Sequence, residues 1–126
     1  MIPKTQDLAA QEKRKQIRYR FHWPVAITTK GDAPSETFEG ATHDISLAGC
    51  SALLDDNIEP GNMINVRLFL PLAKVGATRE IVEIDARVVY TILPIGGTKF
   101  RCGIEFLQFR ENSRKLLERA IELRIA

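Results

Sequence analysis

The sequence predicts an all-β fold with one C-terminal helix: a six-stranded antiparallel β-barrel, closed or nearly closed, with the helix packed against it. Three observations carry this reading. Six short runs rich in apolar and β-branched residues recur along the chain, several of them alternating with period two. Turn-forming residues such as Pro60-Gly61 and Pro94-Ile95-Gly96-Gly97 separate the runs. Helical periodicity is convincing only once, near the C-terminus.

Pro24 opens the first strand, Val25-Ala26-Ile27-Thr28-Thr29, whose β-branched residues suit a pleated, half-buried surface. Gly31 to Ser35 reads as a turn. A second strand runs from Glu36 to His43 and on into Asp44-Ile45-Ser46. Ala48-Gly49 is expected to be a tight reversal, because glycine takes φ > 0 freely. Cys50 to Leu54 forms the third strand, and residues 55–62 a polar connection. From Met63 to Leu70 the chain sets Ile64, Val66, Leu68 and Leu70 on one face against Asn65 and Arg67 on the other, until Pro71 stops it. A loop holding Gly76 spans residues 73–80. Alternation resumes at Ile81 and continues to Leu93, with Ile84, Ala86 and Val88 opposite Asp85 and Arg87. After a hairpin-type turn, Lys99 to Leu107 supplies the last strand, with Phe100, Cys102, Ile104 and Phe106 on one side. Asn112 or Ser113 can cap the helix. Its apolar stripe is Leu116, Leu117, Ala120, Ile121 and Ile125, and Arg114 with Glu118 is an i,i+4 ion pair. The stripe is expected to dock on the barrel, a homodimer or partner contact being the alternative. The phenylalanines are read as core.

A chain of 126 residues, 44% hydrophobic and 27% charged, is one domain of ordinary globular composition. Its net charge of +2 excludes a wholly electrostatic nucleic-acid binder, yet the charge is uneven. Lys13, Arg14, Lys15, Arg18 and Arg20 stand against the single acid Glu12, so the remainder is slightly acidic. Three parts follow: a flexible segment over 1–11, a barrel over 12–109 that includes the basic segment 13–20, and a helical segment over 110–126. No stretch approaches the roughly 18 apolar residues of a membrane span. The polar start lacks the apolar run of a secretory signal, so a cytoplasmic location without membrane insertion is expected. Cys50 and Cys102 lack metal-ligand spacing and are read as reduced core residues. His22 and His43 are read as structural or surface residues, Tyr19 and Trp23 as rings able to stack on a guanine, and Trp23 equally as a plug for the barrel mouth.

Two short pieces carry the functional signal. One is Arg14-Lys15-Gln16-Ile17-Arg18. The other is Asp44-Ile45-Ser46-Leu47-Ala48-Gly49, a carboxylate, a hydroxyl and a turn glycine within six residues. Arginine clamps phosphate, or the guanine O6/N7 edge, through two parallel N–H bonds and also stacks on a purine face. An ionised aspartate only accepts, which suits guanine's N–H donors.

In this order, separated by a Pro-headed strand and a turn, the two pieces resemble the ligand signatures of the PilZ domain, a bacterial receptor family for cyclic di-GMP. Arg14 and Arg18 fit its R-x-x-x-R, and Asp44, Ser46 and Gly49 its [D/N]-x-S-x-x-G. Phe100 to Phe106 resembles its closing strand. The resemblance implies a six-stranded barrel binding cyclic di-GMP through these five residues, with Asp44 and Ser46 on the barrel wall and the arginine segment folding over the ligand. Gly49 would let backbone N–H groups approach the ligand. Lys13 and Arg20 are secondary candidates. In the family, a basic residue at the place of Lys13 is associated with a stacked pair of ligands, which favours two per protomer over one. The basic segment is expected to be mobile until ligand phosphates relieve its self-repulsion, a switch read by a downstream protein or an attached domain.

An enzyme is not expected, since no nucleophile–base–orienter set is legible, and no cofactor or metal is implied. The alternatives are a small-barrel nucleic-acid binder with a basic arm and a ligand-free adaptor. Against the first, the charge is confined to one segment and aromatic residues are not read as interleaved with it. Against the second, both motif arginines are present.

Overall fold

Alternation along the strands predicted from Met63 and from Ile81 requires one shared interior, and the computed structural model closes around it. It describes residues 17–31, 33–71, 76, 79–94 and 96–125. The 1–11 segment, Lys13, Arg14 and most of the 73–80 loop lie outside the described residues. Six strands follow in order: β1 (Pro24–Thr29), β2 (Thr37–Ile45), β3 (Gly49–Leu54), β4 (Met63–Phe69), β5 (Ile81–Ile92) and β6 (Phe100–Phe109), then helix α1 (Ser113–Ile125). All pair antiparallel as a closed barrel, β1-β2-β3-β6-β5-β4, with β1 returning to β4. Closure leaves no strand edge among these six unpaired.

The interior is filled by the alternating residues the sequence singles out. Ile64, Val66 and Leu68 of β4, Val82, Ile84, Ala86 and Val88 of β5, and Cys102 and Ile104 of β6 are buried with Ile27 and Ile45. Trp23, just ahead of β1, is only 5% exposed and closes the barrel mouth. The phenylalanines depart from expectation. Phe106 alone reaches the core, whereas Phe21, Phe38, Phe69, Phe100 and Phe109 are half-buried, because outward strand positions and the strand ends receive them. Cys50 and Cys102 are free and buried; burial pushes the Cys50 thiol far up and Cys102 to about 11, so neither is a thiolate at neutral pH.

Helix α1 packs with Leu117 and Ile121 buried. The Ser113 hydroxyl does not cap the helix. It accepts the Glu83 backbone N–H of β5 at 2.9 Å, while the Asn112 carbonyl takes the Leu116 N–H at 3.1 Å. Arg114 and Glu118 form the expected pair at 3.4 Å.

Asp85 on β5 ties three parts of the chain together, accepting from Lys30 beyond β1 and from Arg110 beyond β6. These hydrogen bonds hold its carboxyl at about 2, below the usual 3.8. A depressed carboxylate contributes stability above its unfolded value and loses it as pH falls through the folded one. Asp85→Asn should therefore flatten the decline of stability between about pH 4 and pH 2 in denaturation curves.

Candidate functional site

Every element but one contributes an end to the same rim: β1 starts there, β2 ends, β3 starts, β4 ends, β5 starts and β6 ends. The chain reaches this rim along residues 17–23 and is fastened as it arrives. Tyr19 exchanges backbone hydrogen bonds with Ile45 at 2.8 and 2.9 Å. Thr42, fully buried, accepts the Trp23 N–H through Oγ1 at 2.8 Å and donates to the Phe21 carbonyl. Tyr19, Phe21 and Trp23 stack in a ladder, with ring centroids 5.5 and 5.2 Å apart. From Arg18 onward, then, the basic segment is anchored rather than mobile: the aromatic ladder supplies the apolar surface that charge counting overlooks. Arg18, Arg20 and His22 alternate with those aromatics and are exposed, so cations and aromatics are interleaved after all.

Asp44 is the centre of the site. The β2–β3 register slips between Thr42 and Asp44, a bulge that re-aims the carboxylate towards Ser51. Its Oδ1 accepts the Ser51 N–H at 3.2 Å, the Ser51 hydroxyl at 2.9 Å and an Arg18 N–H at 3.0 Å. Its Oδ2 faces Arg101 of β6 at 3.4 Å. Burial alone would raise the Asp44 pKa, but the Ser51 and Arg18 hydrogen bonds outweigh it and hold the carboxyl below its usual value. The group stays charged at neutral pH. Its side chain is 10% exposed and that of Arg18 is 47% exposed, so the pair is a fixed acceptor under a movable donor.

Ser46 and Gly49 build the turn that follows Asp44. The Ser46 hydroxyl accepts the Ala48 and Gly49 N–H groups, both at 3.1 Å, and donates to the Gly49 carbonyl at 3.2 Å. One donor and two acceptor positions are thereby filled, and Ser46 is buried. The reversal at Ala48-Gly49 is present, but Gly49 does not take positive φ. Glycine is required there for close approach: a Cβ would lie 2.2 Å from the Ile104 carbonyl oxygen across the β3–β6 pair.

Among the sequence candidates, the structure thus joins Arg18 to Asp44, makes Ser46 and Gly49 the frame of the turn that follows it, and sets Arg20 on the adjoining surface. Arg14 and Lys13 lie outside the described residues. Sequence reasoning missed Arg101, Ser51 and Thr42. The signal for Arg101 was its outward position in β6, beside buried Cys102, and Ser51 faces Asp44 only because of the bulge. His43, the bulged residue, lies 6.2 Å from the His22 ring, and its pKa is lowered by desolvation and then by the nearby Arg101 and Arg20 cations.

Comparison with known proteins bears on the family and the fold. The family model of the PilZ domain matches residues 12–123. The fold is similar to that of the Bacillus subtilis inhibitor of motility (MotI/DgrA), at 20% identity and a TM-score of 0.68 over 89% of this chain and 52% of that one. The chain therefore spans about half the length of that protein. It is also similar to the PilZ domain of YcgR from Escherichia coli, solved with c-di-GMP, at 17% identity and a TM-score of 0.57 over 82% of this chain and 84% of that one. No curated protein matches. Among the described residues no helix is long and apolar enough to cross a membrane.

Proposed function

The chain belongs to the PilZ domain family, and on that premise we propose that it is a receptor for cyclic di-GMP, a binding module rather than an enzyme, whose ligand is held by Arg14, Arg18, Asp44 and the Ser46–Gly49 turn. The observation that carries this reading is the Arg18–Asp44 pair. Two motifs 26 residues apart meet at 3.0 Å on one rim of the barrel. Arg18 is the replaceable member. An ion pair this exposed contributes about 0–1 kcal/mol, so its guanidinium exchanges the carboxylate for a phosphate or guanine edge at little cost. Asp44, released on that side, accepts guanine N–H groups while Ser51 keeps it in place.

Arg101 extends the clamp. Its Nε is buried without a hydrogen-bond partner among the described residues, and its terminal nitrogen already faces Asp44. Arg14 is tethered within about 14 Å of Arg18 by covalent geometry alone and supplies the second fork for phosphate. Signalling follows from what the ladder does. Ligand capture draws residues 14–18 onto the rim, and the Tyr19–Trp23 ladder passes that ordering into the barrel mouth, where a downstream protein or attached domain reads it.

Arg18→Ala should weaken cyclic di-GMP binding by about tenfold to a hundredfold, the loss of one or two charge-assisted hydrogen bonds. Calorimetric titration checks this, and its endpoint decides between one ligand per protomer and the stacked pair that Lys13 favours. Unchanged affinity in both Arg18→Ala and Arg14→Ala would remove the mechanism. The nucleic-acid alternative has less support, because Trp23 is buried and Tyr19 and Phe21 pack half-buried against the core, so the ladder offers bases little free ring face.

A further inference from the structure

On the same rim, three arginines from distant parts of the chain line one cavity. Arg20 enters from the ladder, Arg79 from just before β5, and Arg124 from the last turn of α1. They border a cavity of about 550 Å³ walled by Phe21, Trp23 and Pro71. None of the three enters an ion pair with a described residue, whereas Arg18, Arg87, Arg101, Arg110 and Arg114 each meet a carboxylate. Cations that line one cavity without counterions among the described residues repel one another, and an anion between them relieves that repulsion.

The cavity continues into a second one of about 350 Å³ along the seam between α1 and the barrel; Pro71 and Arg124 border both. Its lining is different: Leu70, Leu116, Ala120 and Leu123, with Arg119 and the one acid Glu80 at the edge. Leu123 is 65% exposed, the most exposed of the large apolar side chains. A groove that is aliphatic at one end and cationic at the other fits an occupant with the complementary polarity.

We infer that this groove docks an acidic segment of a partner protein, with an apolar side chain in the Leu116–Leu123 seam and carboxylates on Arg20, Arg79 and Arg124. Charge complementarity selects the acid, because arginine forks take carboxylates bidentately. The aliphatic seam selects a peptide over nucleic acid, since leucine and alanine give bases nothing to stack on and the aromatic Phe21 and Trp23 wall only the cationic end. The groove goes beyond the cyclic di-GMP site and shares with its candidates only the secondary one, Arg20, which the test leaves unchanged.

The test is selection of random displayed dodecapeptides on the full chain, repeated on Arg79→Glu/Arg124→Glu and, separately, on Leu123→Ser. All three positions are exposed, and melting curves verify that the variants fold. The expected result is enrichment of sequences joining two or more acids to a leucine, isoleucine or phenylalanine. Synthetic copies should bind about tenfold or more weakly to the charge-reversed variant, and more weakly to Leu123→Ser. No enrichment, a consensus without acids, binding indifferent to the reversal, or an oligonucleotide whose binding the reversal abolishes would each overturn the proposal. Cyclic di-GMP titration of the reversed variant keeps the two sites separate, because its affinity should be unchanged whether or not the peptides bind.

Discussion

Asp44→Ala is expected to lower cyclic di-GMP affinity by about a hundredfold to a thousandfold, more than the loss of either motif arginine. The reason lies in what converges on one carboxylate. Asp44 receives Ser51 twice, Arg18 once and Arg101 once. Removing it takes away the proposed guanine acceptor and also the carboxylate that two arginines face. Stability should fall as well, by about 1–3 kcal/mol, because the Ser51 N–H is left buried without a partner. Arg18 adds little to that loss, since its exposed guanidinium returns to water. Asp44→Asn separates charge from shape. The amide keeps an acceptor for Ser51 but presents its NH₂ to an arginine, so folding should largely survive while binding does not.

The sign of the pH effect follows from the same contacts. The folded carboxyl titrates below its ordinary value, so its contribution is present above the unfolded pKa and is lost as pH falls through the folded one. Native protein should lose stability more steeply than Asp44→Asn over that acidic window. Parallel pH profiles for the two proteins would show that the donors only cancel burial, leaving the folded and unfolded carboxyls to titrate alike.

How much of this was legible beforehand depended on whether a contact is local. Strand positions and the helix stripe were readable, because burial with period two or 3.6 is written into consecutive residues. Each strand boundary moved by only a residue or two. Arg18 and Asp44 were readable as chemistry, though not as an ion pair. What escaped requires knowledge of register. Ser51 faces Asp44 through a bulge at His43, Arg101 arrives from a strand nearly sixty residues away, and a bulge leaves no mark on period-two alternation until both strands are placed. The aromatic ladder escaped for another reason. Alternation of Arg18, Tyr19, Arg20, Phe21, His22 and Trp23 was present in the sequence, but a cluster counted by charge hides the residues between the charges. That ladder makes the segment from Arg18 onward a fixed wall instead of a loose arm, and it forms one side of the three-arginine groove.

Gly49→Ala is expected to destabilise the fold by about 3 kcal/mol or more, at or above the upper end of ordinary overpacking. A Cβ at this position would sit 2.2 Å from the Ile104 carbonyl oxygen. That oxygen belongs to the β3–β6 pairing and cannot swing aside as a side chain can. Relief requires the strands to part where Gly49 faces Glu105 and Cys50 faces Ile104. The same movement would open the Ser46–Gly49 turn, whose hydroxyl network fixes the end of β2, so ligand affinity should fall with stability. Gly103→Ala is the control. Its Cβ would meet the Tyr90 ring at 2.0 Å, a closer contact still, but Tyr90 is 39% exposed and can rotate away. The structure therefore ranks Gly49→Ala well above Gly103→Ala in cost, although distance alone ranks them the other way. Urea denaturation of both variants decides the order. If Gly49→Ala lost less than about 1 kcal/mol yet abolished cyclic di-GMP binding, the glycine would serve ligand approach, as the sequence motif first implied, and not the packing of two strands.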